Sequence, residues 1–172
     1  MNMFVVRNER PEDFDAVHYI NNSAFGQPGE ANLVDRLRSS CPEAISLVAV
    51  LEDRVVGHIL FSPVKVEGDR TLTEGMGLGP MAVLPEYQRR GIGSKMVEAG
   101  LDRLKELSCP FVVVLGHSHY YPRFGFKPAS DYRIRCEWDV PDNVFMIRFL
   151  DRTLMAQTSG VARYCNEFGD LT

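Results

Sequence analysis

The chain has 172 residues, 45% of them hydrophobic and 24% charged, and a formal net charge of −4. That length suits one domain with a sizeable core, and the balance is that of an ordinary globular protein. The acidic charge excludes the electrostatic footprint of a general nucleic-acid binder, leaving Arg89-Arg90 as a local basic pair.

Met3 to Arg7 is a short apolar run suited to a first strand. Pro11-Glu12-Asp13 then opens a helix, since proline is tolerated in the first turn and acidic residues favour the positive end of the helix dipole. Phe14, Val17, Ile20 and Phe25 are its expected buried face. A second helix, Glu30 to Ser39, buries Leu33, Val34 and Leu37. Ser46 to Glu52 and Val55 to Val66 read as a hairpin around an Asp53-Arg54 turn. Thr71 to Val83 reads as a central strand interrupted by Gly75, Gly77, Gly79 and Pro80, which predicts a bulge or splay near Gly79-Pro80; a loop over Thr71 to Gly79 is the alternative. Gly91 to Leu107 has helical periodicity, and Phe111 to Leu115 is the continuous apolar run of a buried strand. Strand, helix and strand from Leu78 to Leu115 form a crossover whose two strands are expected to be parallel. A helical turn near Ser118 to Phe124, a strand from Phe126, an apolar strand over Val144 to Leu150 and a polar tail complete a mixed α/β chain.

The four cysteines, Cys41, Cys109, Cys136 and Cys165, form no CxxC or Cys/His zinc spacing, so neither a metal site nor a disulfide framework is expected. No segment has the form of a signal peptide or the ~20 apolar residues of a membrane span. A soluble, cytoplasmic protein without membrane or nucleic-acid partners is the expectation.

The most informative stretch runs from Val83 to Ser94. A strand ends, a turn follows, and a helix opens at Gly91 and Gly93. Helix N-termini offer unpaired N–H groups and partial positive charge to phosphates, and glycines let the backbone approach the anion. A Walker A loop is excluded because Gly93-Ser94-Lys95 inverts its order, and a dinucleotide fingerprint is excluded because its third glycine is Met96. What remains is Gln88-x-x-Gly91-x-Gly93 between a strand and an amphipathic helix.

That pattern resembles the acetyl-CoA-binding motif of the GNAT N-acetyltransferase superfamily, written Q/R-x-x-G-x-G/A. Tyr121-Pro122-Arg123-Phe124-Gly125-Phe126 is similar to the family's Tyr-x-x-x-Gly-Phe block, in the right order and place. The stretch from Leu115 to Phe126 also resembles a bacterial subgroup of predicted acetyltransferases of unknown substrate. The resemblance implies a single acyltransferase domain over residues 1–172, with core motifs at 76–127 and a C-terminal extension at about 152–172. It implies a GNAT-like fold: a central mixed, splayed sheet flanked by helices, with acetyl-CoA as cosubstrate and no metal. By carry-over, backbone groups of Met81 and Val83 pair with the pantetheine amides. The N–H groups of Gln88, Arg89, Arg90, Gly91, Ile92, Gly93 and Ser94 hold the pyrophosphate. His117 stands where the family often has Asn or Asp.

Acetyl transfer from a thioester to an amine needs a deprotonated amine, donors for the oxyanion, a proton for the leaving thiolate and close positioning. Met81-Ala82 is the expected oxyanion donor. Tyr121 matches the family's general acid, whereas Tyr120 is one residue too far from Gly125-Phe126. Glu74 is the general-base candidate, with a solvated surface role as its alternative. His58, His117 and His119 are further possible bases, and Arg89 and Arg90 possible phosphate partners. The single Trp138 belongs either to the core or to an acceptor pocket. The expected function is direct transfer of acetyl from acetyl-CoA to a primary amine of a small molecule or peptide in a ternary complex. A non-catalytic acyl-CoA-binding or sensing module and an O-acyltransferase or other acyl-CoA user are the alternatives; a homodimer stays open.

Overall fold

Alternating apolar residues become strand pairing from the first element onward. β1 (Phe4–Asn8) runs antiparallel to β2 (Ile45–Leu51), with Phe4 opposite Leu51 and Asn8 opposite Leu47. β2 turns back into β3 (Arg54–Glu67). The two turn residues are Glu52 and Asp53, at φ 49° and 63°, one position earlier than the sequence suggests. Two consecutive left-handed residues match the right-handed twist of a tight hairpin, which fixes the turn there. The computed structural model describes residues 3–171. They gather into two units, residues 3–61 with Gly79–Leu101 and 166–171, and Ser62–Leu78 with Asp102–Cys165.

In the first unit, Pro11–Asp13 is a 3-10 turn leading into α1 (Phe14–Phe25), and α2 (Gly29–Ser40) follows. Gly26, left-handed at φ 69°, ends α1 by donating its N–H to the Asn22 carbonyl at 3.0 Å. Val17 and Ile20 of α1 and Leu33, Val34 and Leu37 of α2 are buried as their spacing predicts. Phe25 is not: it occupies the last position before Gly26 and remains 41% exposed. Phe14 lies under the Arg38 guanidinium, 3.9 Å from the ring centroid. Arg38 also reaches Glu9 at 2.6 Å and Asp35 at 2.8 Å. Asp13 is buried and accepts from Arg7 at 2.7 Å and from the Arg10 N–H at 2.7 Å. These bonds, led by that from Arg7, hold its carboxyl below the usual carboxylate range. α3 (Ile92–Glu106) enters the same unit over its first part, and the Phe61 ring fills the space that a Cβ on Gly100 would need. That close approach explains a glycine on the apolar face of a helix.

His58 is fully buried between α1 and β2. Its Nδ1 lies 3.1 Å from Asn21 Nδ2, and its Nε2 lies 2.8 Å from Ser46 Oγ. Asn21 Nδ2 also donates to the Val17 carbonyl at 3.0 Å, so the atom facing His58 is the amide nitrogen. Nδ1 is therefore the acceptor and Nε2–H the donor. Burial, aided by the positive charge of Arg38, pushes the imidazole down to about 3.

In the second unit, β4 (Leu72–Val83) pairs parallel with β5 (Phe111–Leu115) at Met76, Gly77 and Leu78, as expected of two strands joined by a crossover. β5 pairs antiparallel with β8 (Phe145–Phe149), which also carries the two-residue β6 (Lys127–Pro128). Two short strands fall where sequence periodicity gives no strand: β7 (Ile134–Cys136) and β9 (Gly160–Arg163). They run parallel to each other, and β9 pairs with Lys65 to Glu67 of β3. Val64, Val66, Phe111, Val113, Ile134, Phe145 and Ile147 form one apolar cluster across these strands. The hydrogen-bonded order through the mixed open sheet is β1-β2-β3-β4-β5-β8-β6.

Candidate active site

The phosphate-loop candidate is built at the end of β4. Leu84 is buried and donates its N–H to the Val56 carbonyl at 2.9 Å, which anchors the chain as it leaves the strand. Pro85–Tyr87 makes a 3-10 turn. Gln88 then folds its side chain back, Nε2 donating to the Val83 carbonyl at 3.0 Å. The glutamine of the motif is thus a brace that closes the loop on its own strand. Val83 O, expected to meet pantetheine, already accepts this bond and keeps one lone pair for another donor.

Past Gln88 the backbone reverses twice. Arg89 is left-handed at φ 64° and Gly91 at φ 81°, and α3 begins at Ile92. Left-handed residues interleaved in a turn are the pattern in which successive N–H groups line an anion-holding concavity. The first helical carbonyl is already used, since Gly91 O accepts from Lys95 N at 3.1 Å, and a helix's opening N–H groups lie outside its own ladder. A Cβ built on Gly91 meets nothing within 4 Å, so the space in front of the loop is open. Arg89 and Arg90 are exposed. The Arg90 and Arg54 guanidinium carbons lie 5.2 and 5.5 Å from the Tyr87 ring centroid, and Arg54 is 3.5 Å from Glu86. Open space, helix N–H groups and surplus positive charge suit a pyrophosphate.

Met81 and Val83 are half-buried and Ala82 is buried, on the part of β4 beyond its last pairing with β5, Leu78 with Val114. Gly79, at φ 139°, precedes Pro80 where the ladder stops, and the bond between them is cis. Leu72–Val83 is a strand throughout, so the loop alternative over Thr71 to Gly79 does not hold.

Tyr121 begins a single 3-10 turn, Tyr121–Phe124, closed by Gly125 at φ 86°. Arg148 steadies the turn by donating to the Phe124 carbonyl at 2.8 Å. Only 7% of Tyr121 is exposed. Its ring meets those of Tyr120 at 5.0 Å and Phe126 at 5.8 Å, both edge to face. Its remaining face occupies the space where Gly116 would carry a Cβ. Gly116 in turn donates to the Val144 carbonyl at 2.9 Å, which fixes it at the end of β5. Burial, with Tyr120 adding to it, pushes the Tyr121 phenol well above the ordinary tyrosine range, so it remains O–H.

The base candidates fare unequally. The Glu74 side chain is 68% exposed, with Lys65 Nζ at 3.8 Å, the arrangement of a solvated surface pair. His58 belongs to the buried network above and lacks the access a base needs. His117 and His119 are exposed, and their carbonyls serve the turn by accepting from Tyr121 and Arg123. No disulfide joins any of the four cysteines. Burial pushes the Cys109 and Cys136 thiols up and keeps them protonated. Trp138 lies beside a cavity with its ring 5.0 Å from that of Tyr164. Among the described residues no group of three or more His, Cys, Asp or Glu gathers as for a metal, and no helix is long and apolar enough to cross a membrane.

The profile of the acetyltransferase (GNAT) domain matches residues 5–129. The chain is 38% identical over 133 residues to the uncharacterized N-acetyltransferase YjhQ of Escherichia coli, covering 76% of this chain and 74% of that protein. It is 32% identical over 165 residues to the uncharacterized N-acetyltransferase YhbS of E. coli, covering 95% and 98%. The crystal structure of YhbS in complex with CoA superposes with a TM-score of 0.92 at 30% identity, over 98% of this chain and 93% of that one. A GNAT family acetyltransferase from Brucella melitensis in complex with acetyl-CoA gives 0.78 at 32% identity, over 98% and 99%.

Proposed function

Because this chain belongs to the GNAT acetyltransferase family, we propose that it transfers the acetyl group of acetyl-CoA to a primary amine by direct attack in a ternary complex. The observation that carries this reading is the loop after β4, where Arg89 and Gly91 turn left-handed ahead of a helix N-terminus with open space before it. The relatives solved with CoA and acetyl-CoA support the same cosubstrate here.

Acetyl-CoA supplies an activated acyl group and a thiolate leaving group. The backbone from Gln88 to Ser94 holds its pyrophosphate, with Arg89 and Arg90 adding charge. Met81 and Val83 orient the pantetheine arm, and the Met81-Ala82 backbone donates to the carbonyl oxygen as charge grows there. The amine attacks with its free lone pair; a C–N bond forms, the C–S bond breaks, and the nitrogen gives up a proton to solvent. Tyr121 donates its phenolic proton toward the departing sulfur and recovers one from solvent. Glu74, exposed beside Lys65, has no role in this scheme. Protonated Cys109 and Cys136 support transfer without an acetyl-enzyme.

Thiol release from acetyl-CoA, followed across a panel of primary amines, tests the reading. Amine-dependent release with a matching mass gain of one acetyl group on the amine is expected. Absence of release over the whole panel, in protein whose melting temperature acetyl-CoA raises, would leave a binding module instead.

A further inference from the structure

We propose that the cavity around Trp138 binds a small organic cation, an alkylammonium, and that the acceptor amine sits there, giving up its extra proton to solvent before it attacks; the second clause rests on the transfer reading above. The cavity measures about 340 Å³ and lies wholly within the second unit. That is the lower end of the volumes, roughly 300–1,000 Å³, that hold small ligands. Its apolar lining includes Ile134 and Phe145, which are 1% and 3% exposed. Trp138 lines it as well, half-buried, its ring tilted 32° to that of the half-buried Tyr164. Tyr164 is itself wedged against β4, with its Cε1 2.8 Å from where a Cβ on Gly77 would be. Trp138 is thus a braced indole face with an apolar surface beside it.

The charge around this face is uneven. Glu137 is committed to the scaffold: it accepts from the Tyr164 N–H at 2.8 Å and faces Arg163 at 3.7 Å. Asp139 and Asp142 remain, both exposed, against Arg135 alone. An aromatic face, carboxylates at the rim and an apolar floor favour a ligand with a positive head and a hydrocarbon body. A neutral alcohol gains only the floor, and a carboxylate is repelled.

The cavity also shares a frame with the proposed acid. Phe145 pairs with Leu115 across β5 and β8. The next residue, Gly116, bonds to Val144 and carries the ring of Tyr121 on its open face. One strand end therefore holds both a wall of the cavity and the seat of the phenol.

Trp138 is the chain's one tryptophan, so its emission reports this site alone. The test titrates the full-length protein with butylammonium, without acetyl-CoA, and uses butan-1-ol and butanoate as controls. A saturable change from butylammonium alone is expected. Asp139→Asn combined with Asp142→Asn should weaken it about fivefold, and Arg135→Gln should tighten it about twofold, the scale of partly exposed charge pairs. An equal response to butanoate or butan-1-ol, or no saturable response to butylammonium, would overturn the cation site. The acceptor clause has its own readout: the paired Asn variant should raise KM for butylamine in thiol release and leave the acetyl-CoA melting shift unchanged. An unchanged amine KM in an active enzyme sinks that clause while the transfer reading stands. Loss of all thiol release in the wild type sinks the transfer reading and leaves the fluorescence result to decide the cation site.

Discussion

Replacing Gly116 by alanine tests how Tyr121 is held without touching the phenol. An added Cβ would lie 2.8 Å from Tyr121 Cδ2 and nearer still to Cε2, where carbon atoms pack best at about 3.5–4.0 Å. The ring cannot simply lean away, because the rings of Tyr120, Phe124 and Phe126 surround it. Relief needs a displacement of roughly 1 Å, with an overpacking cost of about 1–3 kcal/mol. A catalytic group moved that far loses up to about 10²-fold in rate. Gly116→Ala should therefore lower kcat by about 10- to 100-fold and leave acetyl-CoA affinity within about twofold, because the phosphate loop is untouched. Urea unfolding gives the stability change, calorimetry the affinity and thiol release the kcat. In a Tyr121→Phe background the same substitution should cost stability as before and add almost nothing to the kcat defect. Wild-type kcat in a folded Gly116→Ala protein, or two kcat defects that simply multiply, would refute the idea that Gly116 acts by seating the Tyr121 hydroxyl.

Tyr121→Phe keeps the ring and deletes the donor, so turnover should fall about 10- to 1,000-fold with folding intact, while Tyr120→Phe is milder. Since burial raises the phenol, kcat should show no falling alkaline limb up to about pH 10, where an ordinary tyrosine titrates; a limb near neutrality that Tyr121→Phe abolishes would contradict its protonated state. Gly91→Val places a β-branched residue at φ 81°, and it should weaken CoA binding at least tenfold (about 1.4 kcal/mol) by distorting the loop; unchanged calorimetric affinity in a folded variant would remove Gly91 from the site. His58 gives a pH effect of definite sign. Above about 6.5 the imidazole is neutral folded and unfolded; below it only the unfolded chain takes up the proton, until the folded value of about 3 is reached. Stability is therefore complete above 6.5 and lost as pH falls toward 3, by on the order of 4 kcal/mol. Urea midpoints should show this loss shrinking in His58→Gln, and an equal acid loss in that variant would assign it to other groups.

The part of the fold legible in the sequence is the part governed by long apolar periods or by short-range turn chemistry. The helices, the first hairpin and the crossover through Ile92–Glu106 all follow from residue spacing, because each buries one face over many residues. Ile134–Cys136 and Gly160–Arg163 do not. Each is too short to show a period, and each becomes a strand only by pairing with the other and with Lys65 to Glu67. The Glu52-Asp53 turn is a smaller case: neither residue is a glycine, so its left-handed conformation is set by the twist of β2 and β3 and not by local preference.

The candidate site divides along the same line. Gln88, Gly91 and Tyr121 stand out because spacing in one dimension places them, yet what each does locally depends on atoms far along the chain or folded back on it. Gln88 is a brace to Val83, which no motif spelling conveys. Gly116 reads as one glycine among 14 until the Tyr121 ring is seen lying on it. Trp138 and Tyr164 meet although 26 positions of sequence separate them, and only their stacking turns an isolated tryptophan into a braced face beside a cavity. Burial acts in the opposite direction on His58, whose ordinary titration near neutrality makes any histidine look like a base. A fully enclosed imidazole bonded to Asn21 and Ser46 has no path to a substrate proton, so the side chain whose chemistry is most suggestive in the sequence is the one the fold has committed to structure.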